Sequence, residues 1–124
     1  MVKSLLLVAL GGAAGSVARY VISVVMIAHV AAAQVFPLGT FTVNLTGSLI
    51  LGFLAGWGKQ WTIALLSIGF CGGFTTFSTF SLEVFNIMRA GNIKLATVYI
   101  LASVIVCALA VWLGFYLGMK LNRV

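Results

Sequence analysis

The fold of this chain is decided at residues 72–81, which read GGFTTFSTFS inside an apolar stretch long enough to cross a bilayer. The glycine pair weakens a helix, and hydroxyl and phenyl side chains follow it directly. Irregular backbone persists in hydrocarbon only against protein or beside a watery cavity, because each unpaired backbone group costs several kcal/mol there. We therefore predict that the third membrane helix breaks near Gly72-Gly73 and that this segment lines a passage.

The composition of the whole chain is that of an integral membrane protein. Of its 124 residues, 63% are hydrophobic and only 6% are charged, against about 25% charged residues in an average soluble domain. So few charges cannot cover a water-facing surface. The basic residues give a net charge of +6, but they are scattered at the ends of apolar runs. This distribution is typical of headgroup anchors and not of a nucleic-acid surface.

The polar side chains exclude most enzyme chemistry. The chain has one histidine, one acidic residue and no carboxylate pair, so general acid–base or hydrolytic metal catalysis has almost nothing to work with. The two cysteines, Cys71 and Cys107, lie within apolar runs without metal-ligand spacing, and we expect them to be packing residues. We predict that the protein is not an enzyme.

Four apolar runs are long enough to form membrane helices. They cover about residues 5–28, 38–58, 61–88 and 95–119 and together make one four-helix transmembrane domain over residues 1–124. The first run follows Lys3 and imitates a secretory signal, but it continues well past the roughly 7–15 apolar residues of a signal. We therefore expect a retained first helix.

The basic residues give almost no preference for one membrane orientation. With four spans, one side of the membrane holds four basic residues: Lys3, Lys59, Lys120 and Arg123. The other side holds Arg89 and Lys94, together with Arg19 if that side chain reaches so far. The positive-inside rule acts through such differences, and this one is small. We hypothesise that the chain inserts both ways and that opposite copies pair about a two-fold axis in the membrane plane, as inverted repeats do in transporters.

Each span also carries two glycines at four-residue spacing. Such pairs let helix backbones approach closely in lipid, either within the chain or between copies. The pairs are Gly11/Gly15, Gly52/Gly56, Gly69/Gly73 and Gly114/Gly118. Because four spans leave little room for a central pore, the size of the bundle favours an oligomer.

Three polar side chains lie deep within the predicted spans. Asn44 stands about a third of the way along the second span, where its amide either makes an interhelical hydrogen bond or serves as a donor to a dehydrated anion. Arg19 either pairs with Glu83, faces a water-filled vestibule or is an interface anchor. Glu83 is the only carboxylate, and it marks that vestibule, is paired or is protonated.

Phe77 and Phe80 are three residues apart, so they share one face of a helix. Phenylalanines at this spacing usually pack in a core, but a packed apolar core has no use for the hydroxyls that surround them. Since the edge of a phenyl ring is positive and its face negative, ring edges can face an anion while apolar walls exclude water. In the fourth span, Tyr99 and Ser103 also share a face.

These strings resemble the signatures of a known family, the Fluc (CrcB) fluoride channels. Residues 72–81 resemble its third-span signature, residues 39–45 (GTFTVNL) its second-span signature, and residues 11–15 (GGAAG) with Arg19 its first. The resemblance extends over essentially the whole chain in length, number of spans and order of motifs.

The resemblance implies a fluoride-selective anion channel that is an antiparallel, dual-topology homodimer with two pores. Such a channel in the inner membrane of a bacterium lets cytoplasmic fluoride leave passively down its electrochemical gradient. The partners it implies are the fluoride ion, the lipid bilayer and a second copy of the chain, without nucleic acid.

The resemblance also implies roles for individual residues. Phe77 and Phe80 match the phenylalanines whose ring edges line the fluoride path, and Asn44 matches the pore asparagine. Gly72 and Thr75 match positions whose backbone carbonyls hold a structural Na⁺ on the dimer axis. The other residues implied for the path are Ser78, Thr79, Ser81, Tyr99 and Ser103, with Arg19 and Glu83 in its vestibule.

The chain departs from the family pattern at two positions, and two rival functions have to be compared with the channel. Cys107 and Val111 stand where some family members have Ser and Thr, so the role of the outer part of the polar track is open here. A small dual-topology multidrug exporter needs a carboxylate deep in the first span, which here holds Arg19 and no acid. A non-conducting structural membrane subunit has no use for the hydroxyl string.

Overall fold

The computed structural model describes residues 1–58 and 63–123, and every regular element in this part of the chain is helical. In chain order these elements are α1 (Val2–His29), a 3₁₀ turn (Ala31–Gln34), α2 (Leu38–Trp57), a π-helical segment (Ile63–Cys71), one α-helical turn (Gly72–Phe74), α3 (Phe77–Arg89) and α4 (Ile93–Asn122). Residues 63–89 together make the third span. All four spans are long and apolar enough to cross a membrane, which confirms the predicted all-helical membrane fold.

The helices extend past the predicted ends of the apolar runs. α1 begins at Val2 and α4 continues to Asn122, so both include lysines that we placed at the membrane surface. A lysine can lie on a helix end there because its stem stays in the apolar layer while its ammonium group reaches water. The predicted beginning of the third span, at residues 61 and 62, and the loop residues Lys59 and Gln60 lie outside the described residues.

Glycines allow close backbone contact in the two main helix pairs of the bundle. α1 packs against the π-helical segment, where a Cβ on Gly11 would overlap the Leu65 carbonyl oxygen and one on Gly15 would overlap that of Phe70. α2 packs against α4 in the same way, with Gly52 against the Val111 carbonyl. The glycine pairs therefore serve close packing within the chain, one of the two roles that their spacing predicts.

The third span is interrupted at Thr75 and Thr76, two residues after the glycine pair. Gly72 and Gly73 lie in a helical turn, whereas Thr75 and Thr76 have extended backbone, with ψ angles of 157° and 117°. Thr76 then begins α3 as its N-cap, and its hydroxyl accepts a hydrogen bond from the Thr79 N–H. The predicted break is confirmed, but it lies at the threonines because a capping hydroxyl fixes the start of a helix.

Gly73 serves a different purpose from the one that the sequence suggested. A Cβ on this residue would overlap the Gly12 carbonyl oxygen of α1. The glycine therefore lets the third span touch α1 just before the break and is not itself the point where the helix ends.

Few side chains are buried within the single chain. Tyr99, Val43 and Cys71 are the largest fully buried side chains among the described residues, and in α1 only two glycines are buried. Cys71 is thus a packing residue, as predicted. Most long apolar side chains of α1 and α4 are exposed, as expected for surfaces that face lipid or another copy.

Candidate functional site

The Asn44 side chain of α2 holds the backbone of the third span at its interruption. The Asn44 amide donates from Nδ2 to the Thr76 carbonyl oxygen at 3.2 Å, and Oδ1 accepts from the Thr76 N–H at 2.8 Å. One side-chain amide thus pairs with both backbone groups of an extended residue, as a neighbouring strand would. This is the interhelical hydrogen bond that the sequence left as one alternative. An amide nitrogen carries two hydrogens, so Asn44 keeps a second N–H for a ligand.

Two residues of α1 hold the end of the helical turn before the break. The Gly73 carbonyl oxygen accepts from Arg19 Nε at 3.1 Å and from Ser16 Oγ at 3.4 Å. A positive charge is favourable there because the carbonyls at a helix C-terminus carry partial negative charge. Within residues 1–58 and 63–123 no ion pair joins Arg19 to Glu83, which binds hydroxyl groups instead, so the structure does not support that pairing inside one chain.

Glu83 of α3 binds hydroxyl groups from two other helices. Thr40 Oγ1 donates to Glu83 Oε1 at 2.7 Å, and the Tyr99 hydroxyl donates to Oε2 at 2.8 Å. Thr40 and Tyr99 are both buried, whereas Glu83 is only partly buried. The carboxyl group also borders a pocket of about 450 Å³ that has Thr79 and Asn86 in its wall. Of the sequence-based alternatives for Glu83, the structure supports a paired carboxyl beside a cavity.

A chain of aromatic rings leads from the break to Glu83. The Phe77 and Phe80 ring centroids are 5.7 Å apart, and Phe80 and Tyr99 are 5.0 Å apart with an interplanar angle of 57°. Phe77 is 79% exposed, so this phenylalanine pair does not form a core within the chain. The Phe77 ring is therefore open to a ligand or to another copy of the chain.

Phe77 and Phe80 line a second pocket, of about 290 Å³, beside the interrupted helix. Its wall is mostly apolar but includes Asn44 of α2, the backbone-extended Thr76 and Ser103 of α4. The buried Ser103 Oγ has no hydrogen-bond partner among the described residues, although a buried hydroxyl usually has one. This pocket therefore combines a hydrophobic wall with a small number of donors, which is the pattern of a site for a small polar ligand.

The remaining predicted site residues are less close to the pocket. Ser78 and Ser81 are exposed, and Ser81 Oγ donates to the Phe77 carbonyl of its own helix at 2.9 Å. Thr79 accepts from the Thr76 hydroxyl at 3.1 Å and borders the Glu83 pocket. Cys107 lines the pocket of Phe77 and Phe80, so it does more than pack in a core.

Of the two residues predicted to hold a cation, Gly72 lies in the helical turn before the break and Thr75 lies in the break itself. Gly72 is exposed, with open space where a Cβ would be, and Thr75 is partly buried. The Thr76 N–H, which would bond the Gly72 carbonyl in a continuous helix, donates to Asn44 instead.

Sequence reasoning missed the residues that complete these contacts. Ser16 precedes Arg19 by three residues and Thr40 precedes Asn44 by four, so each shares a helical face with a residue that the sequence singled out. That spacing was the available signal. Phe36, whose ring lies 5.1 Å from that of Tyr99, had no such signal.

Comparison with known proteins shows the family to which the chain belongs. The model of the family described as CrcB-like protein, Camphor Resistance (CrcB), matches residues 6–115. The fluoride-specific ion channel FluC of Coxiella burnetii (strain CbuK_Q154) is 43% identical over a 126-residue alignment that covers 95% of this chain and 99% of that protein.

Two further relatives carry similar names. The fluoride-specific ion channel FluC 2 of Rhodococcus jostii (strain RHA1) is 45% identical over 115 residues, covering 92% of this chain and 97% of its own length. The fluoride-specific ion channel FluC of Magnetococcus marinus (strain ATCC BAA-1437 / JCM 17883 / MC-1) is 47% identical over 117 residues, covering 90% of this chain and 94% of its own length. The similarity thus extends over almost the full length of every chain compared.

Proposed function

This chain belongs to the CrcB family, and on that premise we infer that it is a fluoride-specific ion channel, the activity for which its relatives are named. The family is one of channels, in agreement with the prediction that the protein is not an enzyme. The observation that carries this function is the pocket beside an interrupted membrane helix that Asn44, Phe80 and Ser103 line, where the Ser103 hydroxyl has no hydrogen-bond partner within the described part of the chain.

The physical difficulty for a fluoride channel is dehydration, since fluoride binds water tightly. A selective path must replace that hydration shell with groups of its own, as other selectivity filters do. Here the second N–H of Asn44, the Ser103 hydroxyl and the phenyl ring edges supply the positive ends of dipoles. The apolar remainder of the wall excludes water, which strengthens each of these interactions.

We propose passive export across the inner membrane of a bacterium. Fluoride enters acidified cells as neutral HF and dissociates inside, and a channel then lets the anion leave down its electrochemical gradient. Proton-coupled transport is disfavoured because the sequence has one acidic residue, Glu83, and no second carboxylate to share a proton with it. The Glu83 carboxyl group accepts hydrogen bonds from two hydroxyls, which favours a fixed structural role for it beside the pocket that it borders.

We propose that the working unit is an antiparallel homodimer with two pores. In a single chain the extended backbone at Thr75 and Thr76 adjoins the exposed Phe77 ring. Irregular backbone does not face lipid, so a second copy covering this surface would resolve the conflict. The near balance of basic residues supports insertion in both orientations.

Dual topology is tested by changing the charge of one loop. Lysines added after Gly58 should force one orientation and abolish fluoride flux if both orientations are needed. A mixture of this variant with one carrying added lysines in the loop at 90–92 should regain flux. Full flux from the first variant alone would contradict the dual-topology proposal.

The residues at the break fit a structural Na⁺. The Gly72 carbonyl is released from its helical partner, and carbonyl oxygens are the ligands that hard cations prefer. Gly72 and Thr75 of one chain would supply two carbonyl oxygens, and a second copy packed against the exposed Gly72 would supply the same two. We propose that these four carbonyls hold Na⁺ on the dimer axis, where the ion fixes the contact between the copies.

The proposed function is tested with purified protein in liposomes. Fluoride efflux, with a potassium ionophore to balance charge, should be fast in the native protein. Phe77→Ile and Phe80→Ile should abolish it while the protein still assembles, because isoleucine keeps apolar volume and lacks a polarised ring edge. Efflux that survives both substitutions would remove the rings from the fluoride path.

The same assay separates the two rival functions. A multidrug exporter would move cationic drugs in exchange for protons and would leave fluoride inside, while a structural subunit would move neither. Arg19, which stands in the first span where such an exporter needs an acid, is hydrogen-bonded to the Gly73 carbonyl. That contact favours a part in shaping the break over a part in drug exchange.

A further inference from the structure

We propose that Arg19, Ser16 and Asn44 form a clamp that holds the two ends of the interrupted span, and that its hydrogen bonds set the selectivity for fluoride over chloride. This inference rests on the proposed channel function. It makes Arg19 a positioning residue and gives its charge a smaller part in selectivity.

The two halves of the clamp hold backbone groups three residues apart. On one side, Arg19 Nε and Ser16 Oγ both donate to the Gly73 carbonyl, at 3.1 and 3.4 Å. On the other side, Asn44 pairs with the N–H and the carbonyl of Thr76. Between Gly73 and Thr76 the chain turns from helix to extended backbone, so these contacts replace helical hydrogen bonds that the break removes.

The residues of each half of the clamp belong to a helix that packs tightly against another segment of the bundle. Arg19 is on α1, which Gly11 and Gly15 bring into backbone contact with the π-helical segment. Asn44 is on α2, which Gly52 and Gly56 bring into backbone contact with α4. Since α4 also carries Ser103, the clamp fixes the start of α3, with its phenyl rings, relative to the opposite wall of the pocket.

This fixed spacing matters because a binding site discriminates small ions only if its groups are held within roughly 0.5 Å. If the clamp loosens, the Phe77 and Phe80 ring edges can move away from Ser103, and these groups then compensate fluoride less well for its lost hydration shell, so the preference for fluoride over chloride falls. A loosened clamp should therefore change the ratio of the two fluxes as well as their size.

The rival explanation for Arg19 is electrostatic. A cation beside a pore mouth raises the local concentration of anions and needs no particular hydrogen bond. Two substitutions separate the explanations. Arg19→Lys keeps the charge but has no donor at the position of Nε, whereas Arg19→Gln has no charge but carries its amide nitrogen the same number of bonds from Cα as the arginine Nε.

The experiment measures fluoride and chloride permeability in liposomes for the native protein and both variants, at low and high salt. The clamp predicts that Arg19→Lys lowers the fluoride-to-chloride ratio by about tenfold, the effect of one lost hydrogen bond, and keeps the native dependence on salt. It predicts that Arg19→Gln keeps the ratio within about threefold of the native value and shows a weaker dependence on salt, because the screened charge is gone.

Other outcomes would overturn the proposal. A native ratio in Arg19→Lys would mean that charge suffices, and equal losses in the two variants would mean that the donor at the Nε position does not matter. If both variants conduct nothing, hydrogen–deuterium exchange of the segment 74–82 decides, since the clamp predicts faster exchange in Arg19→Lys than in Arg19→Gln. Equal exchange would then overturn it.

This design keeps two failures apart. A native protein that conducts no fluoride would refute the proposed function, whereas the exchange measurement tests the clamp without any flux. An unchanged exchange rate beside normal native flux would refute the clamp alone.

Discussion

Replacing Asn44 by leucine should be among the most damaging single changes in the chain. Leucine has a similar size but removes both hydrogen bonds to Thr76, the 2.8 Å bond from its N–H and the 3.2 Å bond to its carbonyl. The Thr76 N–H lies at a break within the membrane, where no helical carbonyl can replace Asn44, whereas the Thr76 carbonyl is the N-cap carbonyl of α3 and also faces the N–H groups of that helix. Leaving the N–H unsatisfied costs about 1–3 kcal/mol and losing the bond to the carbonyl about 0.5–1.5 kcal/mol, so the two together give about 1.5–4.5 kcal/mol.

That magnitude is a large part of the roughly 5–15 kcal/mol by which proteins are usually stable. The free energy of unfolding is measured in detergent micelles by denaturant titration, alongside fluoride flux in liposomes. Asn122→Leu is the matched control, because Asn122 is exposed at the last residue of α4.

The reasoning would be refuted by a leucine variant as stable as the Asn122→Leu control. In that case the hydrogen bonds at the break would not be what holds the interrupted span.

Three further predictions concern other contacts. Gly11→Ala should lower the free energy of unfolding by about 1–3 kcal/mol, because its Cβ would overlap the Leu65 carbonyl. The control is Gly12→Ala, whose Cβ would lie 3.8 Å from the nearest oxygen and which should be neutral in the same denaturant titration. Tyr99→Phe should cost about 1–3 kcal/mol because it leaves a Glu83 oxygen without its donor, whereas Tyr116→Phe on the exposed face of α4 should cost nothing measurable. Replacing Na⁺ by a large organic cation throughout purification should lower the dimer fraction seen by single-molecule photobleaching and the fluoride flux together; an unchanged dimer fraction would contradict the proposed Na⁺ site.

The membrane fold could be predicted from the sequence because the hydrophobicity that marks a membrane helix is summed over many residues of one run. Four long apolar runs fix four helices regardless of how those helices pack, and the hydroxyl-rich string at residues 72–81 marks an interruption wherever it lies in the bundle. The position of the break moved to Thr75 and Thr76 because a local capping bond, from the Thr79 N–H to the Thr76 hydroxyl, decides where α3 begins. The π-helical turns of the third span had no signal in the sequence.

The partners of the polar residues could not be predicted in the same way. Arg19 contacts a carbonyl 54 residues away in the sequence, and Asn44 contacts a backbone segment 32 residues away. Both partners are backbone groups, which every residue type has, so no residue type in the sequence indicates the pairing. The sequence left open whether Glu83 marks a vestibule, is paired or is protonated, and in the structure it accepts from Thr40 and Tyr99, two hydroxyls that only the bundle brings together. Spacing along one helix indicates which residues share a face, whereas the opposite face depends on packing.

The most direct test of the channel function compares two anions in one preparation. Liposomes that contain the native protein are loaded with fluoride and chloride together, a potassium ionophore is added, and both anions are followed with ion-selective electrodes. The pocket of Asn44, Phe77, Phe80 and Ser103 predicts rapid release of fluoride while chloride stays inside. Vesicles that retain their fluoride, or that release both anions at the same rate, would contradict a fluoride-selective path through this chain.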